Sequence, residues 1–92
     1  MQVNRYFDDG VVSIGFDSNQ GKQSVGVMQP GHYTFATSQH ETMSVITGAL
    51  TIKRKADADF QTFQPGSQFE VPAEQEFDVK VDEPTAYLCH YA

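Results

Sequence analysis

Hydrophobic residues along this chain recur at every second position in short runs, the period at which alternate side chains of a strand face one side. Val12, Ile14 and Phe16 form one run, Tyr33, Phe35 and Thr37 another, and Met43, Val45 and Thr47 a third. Leu50 and Ile52 follow, then Phe69 and Val71, then Phe77, Val79 and Val81, and last Tyr87, Cys89 and Tyr91. Turn residues separate these runs at Gly10, Gly21, Pro30-Gly31, Gly48, Pro65-Gly66, Pro72 and Pro84. Short alternating runs with regular turn signals predict a sandwich or barrel. No stretch pairs helical spacing with caps. The pattern therefore predicts an all-β domain of about eight or nine short strands. No linker, repeat or low-complexity segment divides residues 1–92, which are read as one domain.

Composition supports a folded core: 39% of the 92 residues are hydrophobic, with seven Phe and four Tyr. Twelve acids against six bases give a net charge of −6, the wrong sign for broad binding to nucleic acid or an anionic membrane. Lys53-Arg54-Lys55 holds half the bases, and Glu70 to Glu83 holds six of the acids. Both clusters read as solvated strand faces. The single Cys89 permits neither an internal disulfide nor a multi-cysteine zinc site. It lies in an apolar strand with no base partner and reads as a buried, inert thiol. The N-terminus has no signal-peptide core, and the longest apolar run is Ala86 to Cys89. A soluble, cytoplasmic protein is expected.

Two spacings carry more. Glu41 is followed by six residues and then Gly48, and Gly66 by five residues and then Pro72. These resemble the two motifs of the cupin superfamily, small jelly-roll β-barrels, with Glu41 and Gly48 closing the first and Gly66 and Pro72 opening the second. Metal-binding cupins add histidines near positions occupied here by Thr37, Gln39 and Phe77. None of the three is histidine, so a cupin-type barrel without metal is expected. A metal-dependent alternative would have to combine Glu41 with His32, His40 or His90.

In order along the chain stand Ser13-Ile14-Gly15-Phe16, Ser24-Val25-Gly26-Val27-Met28, Tyr33-Thr34-Phe35, Met43 to Leu50, Phe69-Glu70-Val71-Pro72 and Tyr87-Leu88-Cys89. Together they resemble the pyrimidine/purine nucleoside phosphorylase family of small bacterial cupins from about Tyr6 onward. The resemblance implies a pentosyl-transferring (glycosyltransferase) enzyme that cleaves both classes of nucleoside with phosphate. The products would be ribose 1-phosphate and free base. It implies no cofactor beyond phosphate as co-substrate, and a homodimer. The alternative is a non-catalytic cupin module that binds a sugar or nucleoside.

Aligned on the cupin pattern, Glu41 points into the barrel, where it could hold ribose hydroxyls or face positive charge developing on the sugar. If the strands run without a bulge, Tyr33, Phe35, Thr37, Gln39 and Met43 share its face. Tyr33 and Thr37 would offer hydroxyls, and Met43 a soft wall tolerant of several bases. Phe77 and Tyr87 are candidate stacking faces, although aromatic residues in a small barrel also serve as plain core. For phosphate the candidates are Lys22, in the turn before a strand, and His90.

Overall fold

The computed structural model describes residues Met1–Ala92 and contains no helix, hence none long and apolar enough to cross a membrane. Ten strands follow one another: β1 (Gln2–Tyr6), β2 (Val11–Ser18), β3 (Gly21–Met28), β4 (Gly31–Ala36), β5 (Glu41–Thr47), β6 (Leu50–Arg54), β7 (Gln61–Phe63), β8 (Gln68–Val71), β9 (Glu76–Val81) and β10 (Thr85–Tyr91). They form a six-stranded sheet, β1-β2-β3-β10-β5-β8, and a four-stranded sheet, β4-β9-β6-β7, with every pair antiparallel.

Strands β3 to β10 alone make an eight-stranded jelly roll, in which the chain passes between facing sheets. The β1–β2 hairpin widens the larger sheet beyond that plan, so the count is ten rather than eight or nine. The two extra strands are the ones a burial pattern cannot reveal. β1 (QVNRY) is exposed at four of its five positions, and β7 is a three-residue edge strand. No ladder joins the two sheets, so the barrel is a sandwich of facing sheets rather than a continuous ring.

Alternation decides which side chains meet between the sheets. Val45, Phe69, Val71, Tyr87 and Cys89 come from the large sheet; Leu50, Ile52, Phe77, Val79 and Val81 come from the small one. Leu50 and Ile52 are fully buried. At this packed side the turn after β5 locks onto β10. Thr85 Oγ1 accepts the Ala49 N–H at 3.1 Å and donates to the Ala49 carbonyl at 3.0 Å. Gly48, with φ 86°, lies so close that a Cβ would collide with Thr85 and the Pro84 carbonyl.

The chain crosses from the small sheet to the large one between Ala36 and Glu41, and Thr37 fastens that corner. Its hydroxyl donates to the Pro72 carbonyl at 2.7 Å and accepts the Gln75 N–H at 3.1 Å. The N–H of Glu74 donates to the Thr37 carbonyl at 2.9 Å. The odd positions stay inward across this corner, but the wall they belong to changes. Tyr33 and Phe35 face inward from one wall, while Glu41 and Met43 face inward from the other.

Candidate functional site

A cavity of about 270 Å³ lies between the sheets on the side of β4 and β9. That is close to the small end of ligand pockets, roughly 300 Å³. Register explains its floor. Tyr91 pairs with Glu41, Cys89 with Met43, and Tyr87 with Val45, so inward side chains of β10 and β5 stand in rows. Ser13, Gly26 and Tyr87 form one row across β2, β3 and β10. The Tyr87 ring lies directly over Gly26, where a Cβ would overlap it, so glycine there lets the phenol lie flat toward Ser13. Met28 completes that wall. Phe35 and Phe77 supply the opposite wall, their rings stacked with centroids 5.7 Å apart. Tyr6 and Phe7, at the end of the β1–β2 hairpin, close one side.

Glu41 is the only ionisable carboxyl on the lining. The Cys89 thiol donates to its Oε1 at 3.6 Å. Burial pushes the Glu41 carboxyl above its ordinary range, while the Cys89 hydrogen bond and nearby His40 pull it partly back. Beside it the Tyr91 hydroxyl bonds Ser24 Oγ at 2.9 Å. Burial raises the Tyr87 phenol to about 12, so it stays a neutral donor. Burial likewise raises the Cys89 thiol, and the adjacent Glu41 charge adds to the effect. A thiol so held is a hydrogen-bond donor and not a nucleophile.

Of the residues singled out by sequence, the structure brings Glu41, Met43, Phe77 and Tyr87 to this one cavity. Tyr33 is corrected: its ring is buried outside the lining, and its hydroxyl is engaged with the Gln29 carbonyl at 2.6 Å. Thr37 is the corner clasp described above, and Gln39 lies in the same crossing outside any strand. His90 takes the parity opposite to Cys89 and Tyr91, and its Nε2–H donates to the Gln20 carbonyl at 2.8 Å, away from Glu41. Lys22 shares the parity of inward Ser24 at the end of β3. Its Nζ stands 5.6 Å from the ring centroid of Tyr91, which lines the cavity; Lys22 itself is outside the lining, with Asp17 its partner across the ladder. Tyr6, Phe7 and Ser13 escaped the sequence reading, because the first two belong to an exposed hairpin and the third is a small polar residue.

The donors that a metal-dependent reading would combine do not converge. His40 Nε2 pairs with Glu70 Oε1 at 3.0 Å, His32 is exposed on β4, and His90 is engaged as described. No three His, Cys, Asp or Glu side chains converge, and no buried side-chain nitrogen or oxygen lacks a partner. The residues present do not fit a first-row metal.

Comparison with known proteins adds the context. The family model for pyrimidine/purine nucleoside phosphorylase matches residues 1–91. A protein of that name from Aliivibrio fischeri is 58% identical over 91 residues, covering 99% of this chain and 98% of its own. Another from Alcanivorax borkumensis is 53% identical over 90 residues, with 98% and 96% covered. The crystal structure of a protein of unknown function from Vibrio parahaemolyticus superposes with a TM-score of 0.95 at 45% identity, covering 99% and 97% of the two chains. An RmlC-like cupin from Shewanella frigidimarina superposes at 0.74 with 13% identity, covering 96% and 79%, a likeness of fold alone.

Proposed function

This chain belongs to the pyrimidine/purine nucleoside phosphorylase family, and we propose that it cleaves purine and pyrimidine nucleosides with phosphate in the cavity floored by Glu41. The observation that carries the assignment of the site is a single, half-buried carboxyl among aromatic walls and phenol hydroxyls. In the reaction the bond from C1′ to the base nitrogen breaks and its electron pair leaves on the base. A phosphate oxygen bonds to C1′, and the proton of hydrogen phosphate ends on the base. Positive charge grows on the sugar between those events. The half-buried Glu41 carboxylate faces that charge and accepts hydrogen bonds from ribose hydroxyls. Tyr87 and Ser13 offer donors beside it. No step is assigned to a metal, because the donor set does not fit one.

Phosphate is held by cations or convergent backbone amides, and the cavity lining has no cationic side chain. Lys22 beside Tyr91 is our candidate, drawing the anion toward the Tyr91 end. The protein acts as a homodimer on this reading. Support comes from an apolar strip on the outer face of the large sheet, where Val3, Ile14, Val25 and Leu88 stand in register across four strands. Val3, Ile14 and Val25 are all exposed, an arrangement typical of interaction surfaces. Cytoplasmic location fits a lone buried cysteine.

The test is release of base from inosine and uridine with and without phosphate. Phosphate-dependent base and ribose 1-phosphate are expected, falling at least a hundredfold in Glu41→Gln. Full activity in that variant would remove Glu41 from the chemistry. Binding without turnover would make the cavity a nucleoside-binding module. Sedimentation should give twice the chain mass, reduced to the monomer by Val25→Glu.

A further inference from the structure

The β1–β2 turn holds an aromatic ring at the cavity mouth in a way that packing alone does not explain. Phe7, Asp8 and Asp9 are consecutive residues in left-handed backbone, with φ of 54°, 54° and 66°. Asp tolerates that region; a bulky Phe rarely adopts it. Such a conformation persists only where the surroundings impose it, and it gathers at functional places. Here the surroundings are specific. The Gly10 N–H donates to the Phe7 carbonyl at 2.9 Å, and the Gln29 N–H donates to the Gly10 carbonyl at 2.7 Å. The Tyr33 hydroxyl, bonded to the Gln29 carbonyl, lies against Gly10 so closely that a Cβ there would touch it.

What this clamp achieves is exposure. The Phe7 ring rests on Tyr33, centroids 5.0 Å apart, and meets Phe35 edge-on at 5.5 Å, yet the residue remains 49% exposed while lining the cavity. Burial would have been served better by an inward ring on relaxed backbone. Apart from Glu41, assigned here to the sugar, the lining contains no Asn, Gln, Arg, Lys or Asp that would read a base edge with paired hydrogen bonds. Faces are what this cavity offers a base.

We propose that Phe7 is the base-stacking, specificity-determining residue of the site. Its free face takes the nucleobase, with the ribose lying toward Glu41, and Tyr33 positions it by pinning the turn. The proposal rests on the phosphorolysis reading. Every base has a π-face, so one ring serves purines and pyrimidines, with the larger purine gaining more.

The chain has no tryptophan, so Phe7→Trp installs a single tryptophan, excitable at longer wavelength apart from the four tyrosines, at the proposed contact. Its emission should change saturably with inosine and with uridine, while Phe60→Trp, on the far side of the small sheet, stays silent. Phe7→Leu keeps an apolar contact on Tyr33 and Phe35 but removes the flat face. Its KM should rise about tenfold for inosine and less for uridine, with kcat and melting temperature near wild type. Unchanged KM values in Phe7→Leu, with Phe7→Trp silent and wild-type turnover intact, would overturn the stacking role alone. A loss confined to kcat, or one that tracks lost stability, would make Phe7 a structural residue and equally overturn it. Wild-type protein that releases no base with phosphate would overturn the phosphorolysis reading and the stacking role with it.

Discussion

The two sides of the space between the sheets are built from the same alternation and serve opposite ends. On the packed side, Leu50, Ile52, Val71 and Val79 fill the interior with aliphatic surface and leave almost nothing exposed. On the cavity side, the same inward parity delivers Glu41, Met43, Tyr87 and Tyr91, and the space stays open. The packed side is aliphatic, and its one fully buried polar side chain, Thr85, has its hydrogen bonds met by the backbone. The other side carries groups whose burial costs stability, which a site for chemistry requires and a core does not.

Substitution should separate the two. The largest stability effect is expected at Ile52→Ala, which leaves a fully enclosed gap and should cost about 3 kcal/mol in denaturant unfolding. Its turnover per folded molecule should match wild type, and a lost turnover would mean the two sides are not independent. Glu41→Gln should show the reverse, with activity lost and stability kept. The carboxyl is raised by burial, so its contribution to folding is most favourable below the unfolded value of 4.5 and declines as pH rises through the raised one. The glutamine variant lacks that decline and should be at least as stable as wild type at pH 7, within about 1 kcal/mol. Thermal melts across pH 4 to 8 would show it, and a clear destabilisation at pH 7 would make Glu41 structural.

A smaller effect is expected at Cys89→Ala. Its thiol hydrogen bond lowers the Glu41 carboxyl, so removing it should move the acid limb of the kcat/KM profile toward higher pH. Cys89→Ser, which keeps a donor, should restore the limb; identical profiles in all three proteins would remove the thiol from any part in tuning Glu41. The smallest change belongs to Tyr33→Phe. Losing one hydroxyl at the turn should cost about 1 kcal/mol of stability. It should also raise nucleoside KM severalfold if the turn positions Phe7.

What the sequence could reveal followed from burial. Leu50, Ile52, Val79 and Val81 each lie in strands with one buried face, so period two announced both the strand and its inward side. Glu41 stood out because a carboxyl at an inward position is costly without a purpose. β1 escaped because it has no buried face to alternate, and Phe7 escaped with it, since its role depends on a turn conformation that no hydrophobic pattern encodes. The hydrogen bonds of Tyr33 and Thr37 were hidden for a related reason. The parity of both residues is right, but the Tyr33 hydroxyl turns back to the carbonyl of Gln29 in the preceding turn. The Thr37 hydroxyl meets the Pro72 carbonyl at the corner where the chain changes sheet, so neither residue offers its hydroxyl to the cavity.

The position of β10 has a consequence for how the molecule is made. This strand lies between β3 and β5 and carries Tyr87, Cys89 and Tyr91, yet it is the last of the ten in chain order. During vectorial synthesis the earlier strands emerge from the ribosome without their central partner. Both β3 and β5 then present open edges suited to mispairing with other chains. Neither the large sheet nor the floor of the cavity can form before the final strand arrives. The nascent chain therefore gains its fold and its site in one late step, and an interrupted product has neither.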